Sequence, residues 1–239
     1  MHIALLVTNT DESDFAARHP RDAEKFRRLI AGVRPAWQVT AFDLPKGEFP
    51  EDLEGFDGVL IGGSPASVRD DLPWVHRLMG VIRAAYGQGV PMVGACFGHQ
   101  AIAQALGGTV GHNPGPFVLG AAETEIFAPA PWMEGAGRIR LAAAHGEQVV
   151  DLPEGAEVIG RSEGCAVAAY RMGDRVFATQ HHPEMTPDFA AALVEEFAPH
   201  FPADVGVAGR VALQRGIEGP RFAEWIARFF EQATAGRTT

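Results

Sequence analysis

A chain of 239 residues, 46% hydrophobic and 21% charged, suffices for one sizeable core, and without a run of about 18 apolar residues it offers no membrane span. A net charge of −10 argues against nucleic acid as the main partner, since a phosphate backbone is met by a basic stripe and the mixed segment Arg21–Arg28 is the nearest approach to one. The start of the chain turns acidic too soon for a signal peptide, so its two cysteines, Cys96 and Cys165, are expected as free thiols in the cytoplasm.

Ile3–Val7 is a short apolar run suited to a strand covered on both faces. From Arg21 to Val33 the residues Phe26, Leu29, Ile30 and Val33 recur at helical spacing, and Pro35 ends the helix. Trp37–Leu44 and Gly58–Ile61 read as strands, the second stopping at the loop Gly62-Gly63-Ser64-Pro65. Trp74–Tyr86 returns to helical spacing, Pro91–Ala95 is a strand, and Gly98–Leu106 is a helix closed by Gly107-Gly108. This alternation predicts an α/β fold with a mostly parallel sheet, whose ligands bind at the carboxyl ends of the strands. Shorter strands follow at Phe117–Phe127, Arg138–Ala144, Glu157–Arg161, Ala166–Arg171 and Arg175–Gln180. Helices are expected near Pro187–Phe197 and Pro220–Glu231. No linker marks a boundary, so residues 1–239 are expected as a single domain with a helical extension from about 200.

The strand ending at Ala95 runs into Cys96-Phe97-Gly98-His99-Gln100. A cysteine at a sharp strand-to-helix turn is presented to substrate, and the small residues Gly94, Ala95 and Gly98 let the turn close without clashes. The helix N-terminus favours a thiolate there, and the Phe97 N–H is placed to donate to an oxyanion. An isolated cysteine is ordinarily a small core residue. The glycine frame reverses that reading for Cys96, whereas Cys165 lacks the frame and reads as core. His99, three residues after Cys96, reads as a helix-surface or pocket-rim residue and not as the base.

A cysteine nucleophile needs a base, and the base needs an orienting group. His182 and Glu184 flank Pro183, which biases His182 to extended geometry. Alternate residues of an extended chain point to one side, so the Glu184 carboxylate can meet the His182 imidazole. The competing readings are a surface His–Glu pair and a metal site at His181-His182. Adjacent histidines in an extended segment point opposite ways, and neither HExxH nor CxxC spacing is present, so no metal is expected.

Ala95-Cys96-Phe97-Gly98-His99-Gln100, with Gln180-His181-His182-Pro183-Glu184 far downstream, resembles the class I (triad) glutamine amidotransferases, and the resemblance runs from Ile3 to about Phe197. It implies a flavodoxin-like fold: a mostly parallel central sheet with flanking helices and a small antiparallel β addition. It also implies that Cys96, His182 and Glu184 cleave the side-chain amide of glutamine through a γ-glutamyl thioester, releasing ammonia without a cofactor. The segment Gly58–Pro65 resembles the family's oxyanion loop, which implies backbone donors at Gly63 and Ser64 beside Phe97. Ser64–Trp74 resembles free-standing members rather than synthetase-fused ones. Ala144–Val149 resembles the segment that holds the backbone end of glutamine, which implies substrate contacts from His145, Gly146 and Glu147. Gln100 matches a residue that positions glutamine. The chain departs from the family at His181, usually phenylalanine, which puts a titratable neighbour beside the base.

Three functions stay open. The first is a glutaminase-type subunit that passes ammonia to a separate synthetase, because the roughly forty residues after about 200 are too few to fold as one. The second is a stand-alone hydrolase of γ-glutamyl peptides or conjugates, with Arg21–Val33 near the substrate. The third is a non-catalytic binding or regulatory protein on the same scaffold, against which the intact Cys–His–Glu set argues.

Overall fold

The computed structural model describes residues 1–236. Its elements in chain order are β1 (His2–Val7), α1 (Asp14–Ala17), α2 (Asp22–Ala31), β2 (Gln38–Asp43), β3 (Gly58–Ile61), α3 (Pro73–Gly87), β4 (Met92–Ala95) and α4 (Phe97–Ala105). There follow β5 (Thr109–His112), β6 (Val118–Ile126), β7 (Arg138–His145), β8 (Glu147–Asp151), β9 (Glu157–Ser162), β10 (Cys165–Met172) and β11 (Val176–Thr179). Three helices close the chain: α5 (Pro187–Phe197), α6 (Ala203–Leu213) and α7 (Gly219–Ala235).

Among the described residues the central sheet has nine strands in the order β2-β1-β3-β4-β11-β10-β9-β6-β7, and β5 pairs with β8 in a small separate antiparallel sheet. From β2 to β11 the pairing is parallel, as the strand–helix alternation requires. From β11 to β7 it is antiparallel. The linkers explain the change. β9 and β10 are joined by Glu163-Gly164, with Gly164 at φ 71°, and β10 and β11 by Gly173–Arg175, with Gly173 at φ 54°. Such turns make hairpins and leave no room for a crossover helix.

Each face of the parallel half has its own core. Leu78, Ile82, Ile102 and Phe97 of α3 and α4 cover one face, together with Leu6, Val59 and Met92. Phe26 and Ile30 of α2 cover the other with Phe222, Trp225, Ile226, Phe229 and Phe230 of α7, one stripe at helical spacing. Gly58 lets α7 approach: a Cβ there would lie 2.3 Å from the Phe230 ring. The Phe177 ring stacks on Phe222 at 5.1 Å, and Trp132 meets Phe229 at 5.0 Å.

This architecture sets β3, β4 and β11 side by side at the middle of the sheet, so the loops after their carboxyl ends converge. Helices α1 and α6 and strands β5 and β8 were not expected as individual elements. No helix among the described residues is long and apolar enough to cross a membrane.

Candidate active site

Cys96 stands between β4 and α4, and among the described residues it is the one non-glycine with positive φ (φ 51°, ψ −105°). Such a backbone costs of the order of 1–3 kcal/mol and persists only where its surroundings hold it. Here the Cys96 N–H donates to Thr179 O at 2.9 Å, and the Gly98 N–H donates to Gly62 O at 2.9 Å. The expected glycine frame is a steric necessity. A Cβ on Gly94 would lie 2.6 Å from the Gly98 carbonyl, and one on Gly98 would lie 2.3 Å from Ile61 O.

β11 delivers the histidine. The Gln180 N–H donates to Ala168 O at 2.9 Å and the His182 N–H to Ala142 O at 2.8 Å, which pins the segment beyond the strand. The His182 Nδ1–H donates to Glu184 Oε1 at 2.7 Å, and both residues are buried. The Cys96 sulfur lies close enough to the His182 ring to act on it electrostatically. Burial by itself drives the proton off His182, but the Glu184 carboxylate and the Cys96 sulfur overcome it, holding the pKa well above the usual imidazole value.

The loop after β3 passes directly over these groups. A Cβ on Gly63 would lie 2.6 Å from His182 Cε1 and 3.7 Å from Cys96 Cβ. Thr8 Oγ1 lies 3.1 Å from Gly62 O and 2.9 Å from Gly63 O, and donates to them. In a trans peptide the following N–H points opposite to the carbonyl, so Thr8 sets the directions of the Gly63 and Ser64 N–H groups. Among the described residues no backbone acceptor takes up either of these, nor the Phe97 N–H.

The cavity over Cys96 has a volume of about 780 Å³, and every expected site residue except Glu184 lines it. Glu184 sits behind His182. The Gln100 Nε2–H₂ group donates to Glu147 O at 2.9 Å and to Gln180 Oε1 at 3.2 Å, joining α4 to β8 and to the segment just after β11. The Gln180 Nε2–H₂ group in turn points at Cys96 Sγ, 3.7 Å away. The His145 Nδ1–H donates to Glu147 O at 3.1 Å, and burial pushes this imidazole down to about 4, so it is neutral. The Glu147 carboxylate accepts from Ser67 Oγ at 2.7 Å and from Arg69 Nε at 3.1 Å, which ties β8 to the loop after β3. Gly146 lies against the Phe117 ring, where a Cβ would come within 3.1 Å.

Three side chains differ from, or refine, the sequence reading. His99 is fully buried, its ring 4.8 Å from that of Tyr170, and burial pushes it down to about 3. It is neither surface nor rim, because α4 is packed between the central sheet and the β5–β8 pair. His181 faces away from the cavity and is wholly buried, its Nδ1 3.1 Å from Thr124 Oγ1. Burial and the neighbouring histidines hold it well below the usual imidazole range, so it adds no charge beside His182. Cys165 is buried, and desolvation pushes its thiol up to about 12, as suits a core cysteine. Thr8 went unread in the sequence, and Gln180 was quoted only within the downstream motif, without a role of its own.

The parallel half of the sheet thus brings a strained cysteine against a buried His–Glu pair in an α/β fold. The family model for glutamine amidotransferase class-I matches residues 31–198. The chain belongs to that family. It is 27% identical over 237 residues to γ-glutamyl peptidase 4 of Arabidopsis thaliana, covering 95% of this chain and 94% of that protein. It is 35% identical over 136 residues to a glutamine-hydrolysing GMP synthase of Aeropyrum pernix, covering 56% of this chain but 25% of that protein. The solved structure of a glutamine amidotransferase from Thermotoga maritima shares the fold, with a TM-score of 0.75 at 20% identity over 97% of each chain.

Proposed function

We propose that the chain is a cysteine-dependent hydrolase of γ-glutamyl amides whose leaving amine is larger than ammonia. The observation that carries this is the cavity. About 780 Å³ open to Cys96 and His182 lies in the range that drug-sized ligands occupy, roughly 300–1,000 Å³, and exceeds what a single amino acid fills. Likeness to a γ-glutamyl peptidase over nearly the whole of both chains supports the same reading.

Cys96 Sγ attacks the γ-carbonyl carbon as the thiolate. The oxygen takes the negative charge and meets the N–H groups of Gly63, Ser64 and Phe97. His182 gives its proton to the amide nitrogen, the C–N bond breaks, and the amine leaves a γ-glutamyl thioester on Cys96. Water then attacks the thioester and gives a proton back to His182. The C–S bond breaks, releasing glutamate and restoring the starting pair. Gln100, His145, Gly146 and Glu147 hold the glutamyl end. We take the reaction to be cytoplasmic, where the thiol stays reduced.

Likeness to part of a GMP synthase favours a second reading, in which free glutamine is the substrate and ammonia passes to a separate synthetase chain. Incubation with glutamine and with γ-glutamyl dipeptides, following ammonia and free amine, separates the two. The dipeptides are expected to be the better substrates, and Cys96→Ser to abolish turnover. Activity that survives Cys96→Ser removes the thiol from the mechanism. Turnover of glutamine alone supports the second reading. Turnover of neither substrate, with or without candidate synthetases, points to the non-catalytic role.

A further inference from the structure

We propose that the cavity contains a leaving-group subsite for amines bearing aromatic or bulky apolar substituents, an inference that rests on the γ-glutamyl amide reading above. The chemistry fixes which side of Cys96 the leaving group occupies. Its nitrogen has to reach His182, the proton donor, so the substituent extends past His182. On that side the chain runs through Met185 into α5, which turns Phe189, Leu193 and Phe197 into the cavity at spacings of one helical turn. Phe15 of α1 meets Phe189 and Phe197 at ring distances of 5.8 and 6.3 Å. Phe117 and Phe201, stacked at 4.4 Å, extend the apolar lining as far as Gly146, against which the Phe117 ring lies.

Phe117, Phe189, Phe197 and Phe201 are only half-buried, so an apolar substituent laid against them removes apolar surface from water on both partners. Lys25 Nζ lies 3.6 Å over the Phe189 ring and pairs with Asp22 at 2.9 Å, and the His19 ring adds to the wall, 4.5 Å from that of Phe15 and 5.2 Å from that of Phe189. The glutamyl end of the cavity carries the polar side chains of Gln100, Ser67 and Glu147. Phe15 precedes and Phe201 follows the residues 31–198 matched by the family model.

The test compares kcat/KM for γ-glutamyl-phenylalanine and γ-glutamyl-glycine. The wild-type chain is expected to prefer the first by about 10- to 100-fold, the worth of burying one large apolar side chain. Phe189→Ala, or Phe201→Ala where the first variant does not fold, is expected to reduce that preference by about tenfold. Equal kcat/KM values in the wild type overturn the subsite and leave γ-glutamyl hydrolysis standing. A preference that survives both substitutions overturns the wall as its source. Failure to cleave either dipeptide overturns the reading of the site, and the subsite with it.

Discussion

Buried imidazoles ordinarily give up their proton, and His99 and His145 do so here, at about 3 and about 4. His182 is equally buried but keeps its proton, because the carboxylate of Glu184 and the sulfur of Cys96 outweigh desolvation. Glu184→Gln keeps the shape and removes the charge. With less to oppose burial, the pKa of His182 falls. The alkaline limb of kcat/KM is then expected to move to lower pH, with kcat reduced about 100-fold. Stability follows the same sign. A raised folded pKa stabilises the fold below the unfolded value near 6.5, and that contribution fades as pH rises through the folded value; the substitution shrinks it. An alkaline limb that stays in place would show that Glu184 does not control His182. At this scale Cys96, His182 and Glu184 were legible because a glycine frame and a proline mark them. Thr8 acts through side-chain hydrogen bonds at the end of an apolar strand, where nothing in the pattern sets it apart, and the contact of Gln180 with Cys96 could not be read from its place in the downstream motif. His99 was misplaced because helical spacing does not tell that α4 is covered on all sides.

Strands β3 and β4 and helix α5 fall within a residue of their expected bounds. For α5 the reason is local: Pro187 opens the helix, and the Thr186 Oγ1 cap accepts the Phe189 N–H at 3.2 Å. Helix α6 was not legible. Gly206 and Gly209 weaken its helical signal, and they serve contacts that only the tertiary structure reveals. Gly209 packs so closely on β6 that a Cβ on Gly120 would lie 2.6 Å from its Cα. Strands β5 and β8, Thr-Val-Gly-His and Glu-Gln-Val-Val-Asp, hold one and two apolar residues, too few for an apolar run or an alternation to show. Helix α7 was expected as part of an appended extension, yet it fills one face of the sheet. Phe229→Ala is therefore expected to cost about 3–5 kcal/mol, read as a lower urea midpoint at unchanged m-value. A loss below about 1 kcal/mol would mean that α7 is dispensable to that core.

The two ends of the sequence also meet across the whole molecule. Arg34, just beyond α2, donates to Glu231 at 2.6 Å and to Glu224 at 3.2 Å on α7, and these hydrogen bonds hold its guanidinium above its ordinary pKa. Arg34→Met is expected to destabilise the fold by about 1 kcal/mol, with the difference narrowing in 1 M salt, where screening reaches a few ångströms. A difference insensitive to salt would assign the effect to packing of the Arg34 stem. The turn at Cys96 has a different kind of reach. Glycine adopts its backbone freely, whereas alanine inherits the same distortion as cysteine. Cys96→Gly is thus expected to melt above Cys96→Ala, the reverse of what glycine and alanine do in most positions. The presentation of the sulfur can then be read from two thermal unfolding curves, with no substrate in the tube.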